Sequence, residues 1–319
     1  MNHRPLLRIT SLALLLLAGG ATSQIVVATP DGYATHGEGT TGGGRSRPVR
    51  VSTAGDFKAA VTGDRPAVVI VEGKLKIEGL RIGSNKTILG ADTKAGLQGG
   101  GIGIQGKNVI IQNLTLGPAR GDVMELSGAR NVFITKCEFF GSTDELCSIV
   151  RGSDYVTVSW SKFHFPNPDS HSFPHLIGNS DRRESDRGKL HVTMHHNHYG
   201  AGCRSRMPRV RFGKVHLYNN YYHCRGNNYC IGTGVESSIR VERSVFDGVK
   251  RPWNDMGGTE RDAVIGWKDL RFVDCEAPGY APNSWPVFEP PYEYSMHRLD
   301  EVKKLVTDPE SGAGNCLSR

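Results

Sequence analysis

Val109-Ile110-Ile111-Gln112-Asn113-Leu114-Thr115-Leu116 is answered by Val132-Phe133-Ile134-Thr135-Lys136-Cys137-Glu138-Phe139. Both segments place a β-branched residue first, an apolar residue two later, a compact residue five later and a large apolar residue seven later. Four further copies begin at Val156, Val192, Val215 and Ile239, so successive starts step by 23, 24, 36, 23 and 24 residues. Weaker copies start at Thr87 and at Leu270. The first three positions alternate as in a strand, whose side chains point to opposite faces. A fixed period in the twenties marks stacked supersecondary units, because one strand cannot bury its inner face alone.

Leucine-rich repeats share this period but require a leucine–asparagine consensus that is absent. A β-sandwich would give hairpin signals about every 8–12 residues without such positional identity. The expected fold is therefore all-β, a single-stranded right-handed parallel β-helix. Leu116, Phe139, Phe163, Tyr199, Tyr222 and Phe246 form its interior stack, and Leu114, Cys137, Ser161, Asn197, Asn220 and Ser244 form a compact corner column. Ser52 to Val61 predicts a short helix capping the N-terminal end. The periodic Leu299, Val302, Leu305 and Val306 predict a C-terminal amphipathic helix over Ser295 to Asp308. The long step between Phe163 and Val192 carries Pro166, Pro168, His171, Pro174 and His175. Insertions in solenoids become loops on one face, often the binding face.

The chain ends and bulk composition frame this core. Residues 1–23 pair early arginines with the apolar run Leu12 to Ala18 and then small residues, the layout of a cleaved secretory signal. That run is too short to span a bilayer. Residues 24–47, rich in Gly, Thr and Ser, read as a flexible lead-in, and 48–319 as one domain. Glycine is abundant, at 40 of 319 residues, which suits many tight turns. The formal charge is +7, which favours a polyanionic partner. No basic run interleaves with aromatics, so nucleic acid is not expected. Arg182 to Arg187 is mixed in sign and reads as a solvated loop. The seven cysteines leave at least one thiol unpaired, none has zinc-site spacing, and Cys224 and Cys230 lie close enough to clip a loop. His195 and His196 should face opposite ways on a regular strand, which argues for a structural role.

The densest chemistry lies in Arg206-Met207-Pro208-Arg209-Val210-Arg211-Phe212-Gly213-Lys214-Val215-His216-Leu217-Tyr218-Asn219-Asn220. Arg206 and Arg211 flank a Pro-containing turn at a strand edge, where guanidinium groups can clamp carboxylates. This stretch, together with Arg151-Gly152-Ser153-Asp154-Tyr155-Val156-Thr157-Val158-Ser159-Trp160, resembles the pectate and pectin lyase family. The likeness runs over about residues 50 to 250 in the family's order.

The resemblance implies a secreted, monomeric polysaccharide lyase that cleaves pectate by β-elimination, acting on acidic plant cell-wall polysaccharide with no membrane contact once the signal is removed. It implies Arg206 as the base and Arg211 as a carboxylate or substrate-binding partner. Arg209, Lys136 and His175 are further substrate-binding candidates by residue type, Lys136 standing where the family's own pattern is replaced. It also implies Ca²⁺ held by carboxylates on neighbouring turns, matching Asp122 and Asp144. The family's third acid falls at Ser148, and adjacent Glu145 substitutes only if the backbone shifts. The family's Trp-x-Asp-His stretch is Phe133-Ile134-Thr135-Lys136 here, and a usual lysine is Phe173. These departures keep open a non-catalytic or altered-specificity binding protein. A polygalacturonase-type hydrolase on the same scaffold would need carboxylates flanking the bond.

Overall fold

The computed structural model describes residues 25–275 and 283–316. The repeat pattern becomes a parallel β-helix with three strand faces. One face is a ten-stranded sheet running from Val49–Val51 through Arg130–Thr135, Asp154–Ser159, His191–His195 and Lys214–Tyr218 to Val264–Lys268. A second face stacks Glu138–Phe140, Lys162–His164, His198–Tyr199, Tyr221–Tyr222, Val245–Asp247 and Arg271–Val273. The third stacks Cys147–Val150, Leu176–Ile177, Arg209–Val210, Ile231–Thr233 and Trp253–Asp255. The long strand Thr115–Ser127 belongs to both of these latter faces, pairing with Glu138–Phe140 at one end and with Cys147–Val150 at the other.

The register follows the sequence copies. Val109 pairs Val132, Val132 pairs Val156, Val156 pairs Val192, Val192 pairs Val215, and Val215 pairs Ile239. The two weak copies are corrected. Lys86, not Thr87, pairs Val109, and Ile265, not Leu270, pairs Ile239. Buried Lys86 hid the first start. Its ammonium donates to the carbonyls of Gly63, Arg65 and Ser84 at 2.6–2.7 Å, which satisfies a charge that the apolar template excludes.

Inside, the large side chains stack rung on rung. The rings of Phe139, Phe163, Tyr199, Tyr222, Phe246 and Phe272 follow one another at centroid separations of 5.0, 5.4, 4.8, 4.5 and 5.5 Å. The corner column is a hydrogen-bonded ladder. The backbone N–H of Cys137, Ser161, Asn197 and Asn220 donates to the side-chain oxygen of Ser161, Asn197, Asn220 and Ser244 respectively. Each corner turns through one residue of left-handed backbone: Asn113, Lys136, Trp160, His196, Asn219, Arg243 and Asp269, with φ between 39° and 57°. Hydrogen bonds to the next rung, such as Trp160 N–H to His195 O at 3.0 Å, hold these non-glycine residues there.

Helix α1 (Ala54–Val61) forms as expected. Thr53 accepts the Asp56 N–H as its N-cap, and Phe57 and Val61 are buried against the first rungs. Helix α2 is shorter than expected, covering only Val302–Val306. It buries Val302 and Val306 against Tyr221 and Val245, and the chain before it is held out of the helix at His297, whose backbone N–H and C=O bond the side chain of the corner residue Asn219. The flexible lead-in is also corrected. Tyr33 and Ala34 are buried, with their N–H groups on the hydroxyls of Thr193 and Thr157 at 3.0 and 3.1 Å. Gly32 makes this contact possible, since a Cβ there would lie 2.7 Å from the Thr157 hydroxyl. Residues 1–23, read as a secretory signal, lie outside the described residues. All seven cysteines are thiols, so the Cys224–Cys230 clip is not formed.

Candidate active site

The residues of interest converge where loops enter the third face. Arg206 sits in the loop before Arg209–Val210, with left-handed backbone at φ 61°. Two rung contacts fix that loop: His175 N–H donates to Arg206 O at 2.8 Å, and Met207 N–H donates to Cys230 O at 2.6 Å. The Arg206 guanidinium is ion-paired through Nη1 to Glu145 Oε1 and lies 4.2 Å over the Phe173 ring. Tyr229 also lies close beside it.

Three carboxylates gather beside it. Ligand oxygens from Asp122, Asp144 and Glu145 all lie within 4.8 Å of one another. Asp122 Oδ1 accepts the Glu145 N–H at 2.9 Å, and Ser148 lies close to Asp122. Burial, aided by the charges of Asp144 and Glu125, pushes the Asp122 carboxyl up to about 6. Burial and the adjacent Asp144 push the Glu145 carboxyl up, against the opposing pull of Arg206 that keeps it ionised. Such a cluster of hard oxygen donors, short of positive charge, fits a divalent cation of the calcium type. Asp122 and Asp144, the two carboxylates expected as ligands, both belong to this group. Ser148 is 2% exposed and brings no charge, and Glu145 supplies the third acid. The chain around 143–146 is bent rather than a regular strand, which lets two consecutive acids face the same cluster.

Arg211 is 8% exposed and already engaged, with Nε on Asp181 and Nη1 on Gly178 O at 2.8 Å. Asp181 also holds Arg261 at 2.9 Å. Arg209 is different. Its Nε is buried with no hydrogen-bond partner, and it has no ion pair among the described residues. Burial and the neighbouring charges of Arg211 and Arg206 push its pKa down. This is a guanidinium lacking an anion.

Two expected substrate contacts are corrected. His175 is fully buried, with Nδ1 on Cys147 O at 3.0 Å and its ring edge-on to Phe163 and Tyr199, so it braces the interior. Lys136 belongs to the opposite corner of the coil. Its ammonium bonds the carbonyls of Ser311 and Gly312, the latter at 2.8 Å, and stacks on Trp160 at 4.5 Å. It therefore anchors the C-terminal segment. His195 and His196 meet, Nδ1 to Nδ1 at 2.8 Å, because His196 is the left-handed corner residue and not part of the strand. The sequence reading missed Asp181 and Tyr229. Asp181 lies in the mixed-charge approach to the Arg182–Arg187 run, where only the fold brings it to Arg211.

A family model described as pectate lyase matches residues 4–260, well over half of the chain. The chain belongs to the pectate lyase family. It is 36% identical over 301 residues to pectate lyase A of Emericella nidulans, covering 86% of this chain and 84% of that protein. It is 29% identical over 361 residues to a pectate trisaccharide-lyase of a Thermotoga species, covering 97% of each. Among solved structures, a Bacillus subtilis pectate lyase variant superposes with a TM-score of 0.79 at 20% identity, covering 94% of this chain and all of that one. A pectate lyase bound to a hexasaccharide gives 0.77 at 20% identity, covering 90% of this chain and 97% of that one. As a member of the pectate lyase family, the protein is a polysaccharide lyase.

Proposed function

We propose that the protein is a secreted, monomeric enzyme that cleaves pectate, the polygalacturonate of plant cell walls, by β-elimination with Arg206 as base. The observation that carries this reading is the meeting of Arg206 with the Asp122–Asp144–Glu145 cluster through the Glu145 carboxylate. In the reaction an Arg206 nitrogen takes the C5 proton beside the uronate carboxylate. The electrons form the C4–C5 double bond, and the O4 glycosidic oxygen leaves and is protonated from solvent. Calcium bound at Asp122, Asp144 and Glu145 would draw charge from the substrate carboxylate and so acidify C5. Arg209, lacking an anion of its own, clamps a uronate carboxylate. Arg211, held by Asp181 and Gly178, contributes fixed positive charge beside Arg209.

Neither competing reading is favoured. A hydrolase needs two carboxylates on opposite sides of the bond, and these three converge on one spot. A binding module has no use for an arginine enclosed by Glu145, Phe173 and Tyr229. The test is incubation with polygalacturonate and with methylated pectin, in calcium and in chelator, following ultraviolet absorbance of unsaturated product. Calcium-dependent absorbance on polygalacturonate supports the reading. New reducing ends without absorbance would mean hydrolysis, and binding without either would mean a non-catalytic protein.

A further inference from the structure

We infer that Glu145 is a shared carboxylate that exchanges between Arg206 and a bound calcium ion, coupling metal binding to release of the catalytic guanidinium. The inference rests on the calcium reading above and extends it to a residue outside the acid spacing seen in the sequence.

Three features of the site carry it. First, Glu145 belongs to two groups at once: one carboxylate oxygen contacts Arg206 Nη1, while its ligand atom lies within 4.8 Å of those of Asp122 and Asp144. Its backbone is pinned by the 2.9 Å bond from its N–H to Asp122 Oδ1, so the side chain can swing over a fixed Cα. Second, the Glu145 side chain is only 4% exposed, so water cannot take the place of whichever partner it leaves. Ser148 is uncharged, and without Glu145 the cation would have two carboxylates in place of three. Third, Arg206 keeps a seat when Glu145 leaves. The Phe173 ring lies 4.2 Å beneath the guanidinium, and Tyr229 lies close beside it. The same carboxylate thus serves two partners, and a bound ion draws it away from the guanidinium.

The test is a double-mutant cycle on calcium affinity, measured by titration calorimetry without substrate, with circular dichroism and melting curves on each variant. Glu145→Gln should weaken calcium binding roughly tenfold or more, and Arg206→Ala should tighten it by a similar factor in the wild-type background. In the Glu145→Gln background, Arg206→Ala should lose most of that gain. Unchanged calcium affinity in Glu145→Gln overturns the inference while leaving the calcium reading standing. An equal gain from Arg206→Ala in both backgrounds also overturns it, since removal of a nearby positive charge alone would explain the gain. Wild-type protein that binds no calcium overturns both. Should Glu145→Gln not fold, Glu145→Asp, which keeps the charge and shortens the reach, carries the same expectation.

Discussion

Two neighbouring arginines are expected to fail in opposite ways. Arg209 has a buried Nε without a partner and no ion pair among the described residues, so its truncation breaks no salt bridge and should cost little stability. What is lost is a charge-assisted, two-pronged hydrogen bond to a substrate carboxylate, worth about 2–3 kcal/mol, or roughly 30–150-fold in kcat/KM. Arg211 is 8% exposed and paired with Asp181, which also meets Arg261. Truncating it leaves Asp181 with one cation and Gly178 O without its donor, at a cost of about 2–4 kcal/mol in stability, discounted from the fully buried case because the Asp181 side chain is 34% exposed. The assay is steady-state formation of unsaturated product over a range of polygalacturonate concentrations, beside chemical denaturation of the same samples. Arg209→Ala should melt like wild type with kcat/KM sharply reduced, and Arg211→Ala should be clearly less stable. Arg209→Ala within about twofold of wild-type kcat/KM would refute the reasoning, as would Arg211→Ala with full stability.

Other outcomes follow from the coil itself. Phe163 is fully buried between Phe139 and Tyr199, so Phe163→Ala should cost about 4 kcal/mol by denaturant titration, and a loss under about 1 kcal/mol would contradict the stacking account. Burial pushes His175 down to about 4 from 6.5, so below pH 6.5 the unfolded chain takes up a proton that the folded chain refuses. Stability from this residue is complete above 6.5 and falls towards pH 4, by about 3 kcal/mol in all. Melting curves of wild type and His175→Leu across that window should converge as pH falls, and parallel curves would contradict this. Lys136→Met should loosen the C-terminal segment at Ser311 and Gly312, read as faster proteolysis there at unchanged core stability, and equal cleavage rates would sink the anchoring role.

The coil was legible in the sequence because stacking forces identity at fixed offsets. Val109, Val132, Val156, Val192, Val215 and Ile239 pair in the register their spacing predicts. The misplaced starts at Thr87 and Leu270 lie where that identity lapses, at a buried lysine and on the last rung. Arg206 and the two acids at Asp122 and Asp144 were legible as motif positions. Partnerships across rungs were not. Asp181 reaches Arg211 from 30 residues away and Arg206 meets Glu145 from 61 away, and no local pattern records either pair. His175 and Lys136 misled for the same reason. Their residue types suit substrate binding, but the fold turns one into the core and sets the other at the far corner. Glu145 entered the cluster through a bend at 143–146 that strand alternation does not anticipate.

The central claim is that Arg206 removes a proton in an elimination. It is tested most directly by the ultraviolet absorbance of unsaturated product from polygalacturonate, comparing wild type with Arg206→Ala at matched calcium and matched melting temperature. The account predicts steady product from wild type and a loss of roughly a thousandfold or more in kcat for the variant, with calcium binding retained. Product formed by Arg206→Ala at a rate near wild type would contradict it.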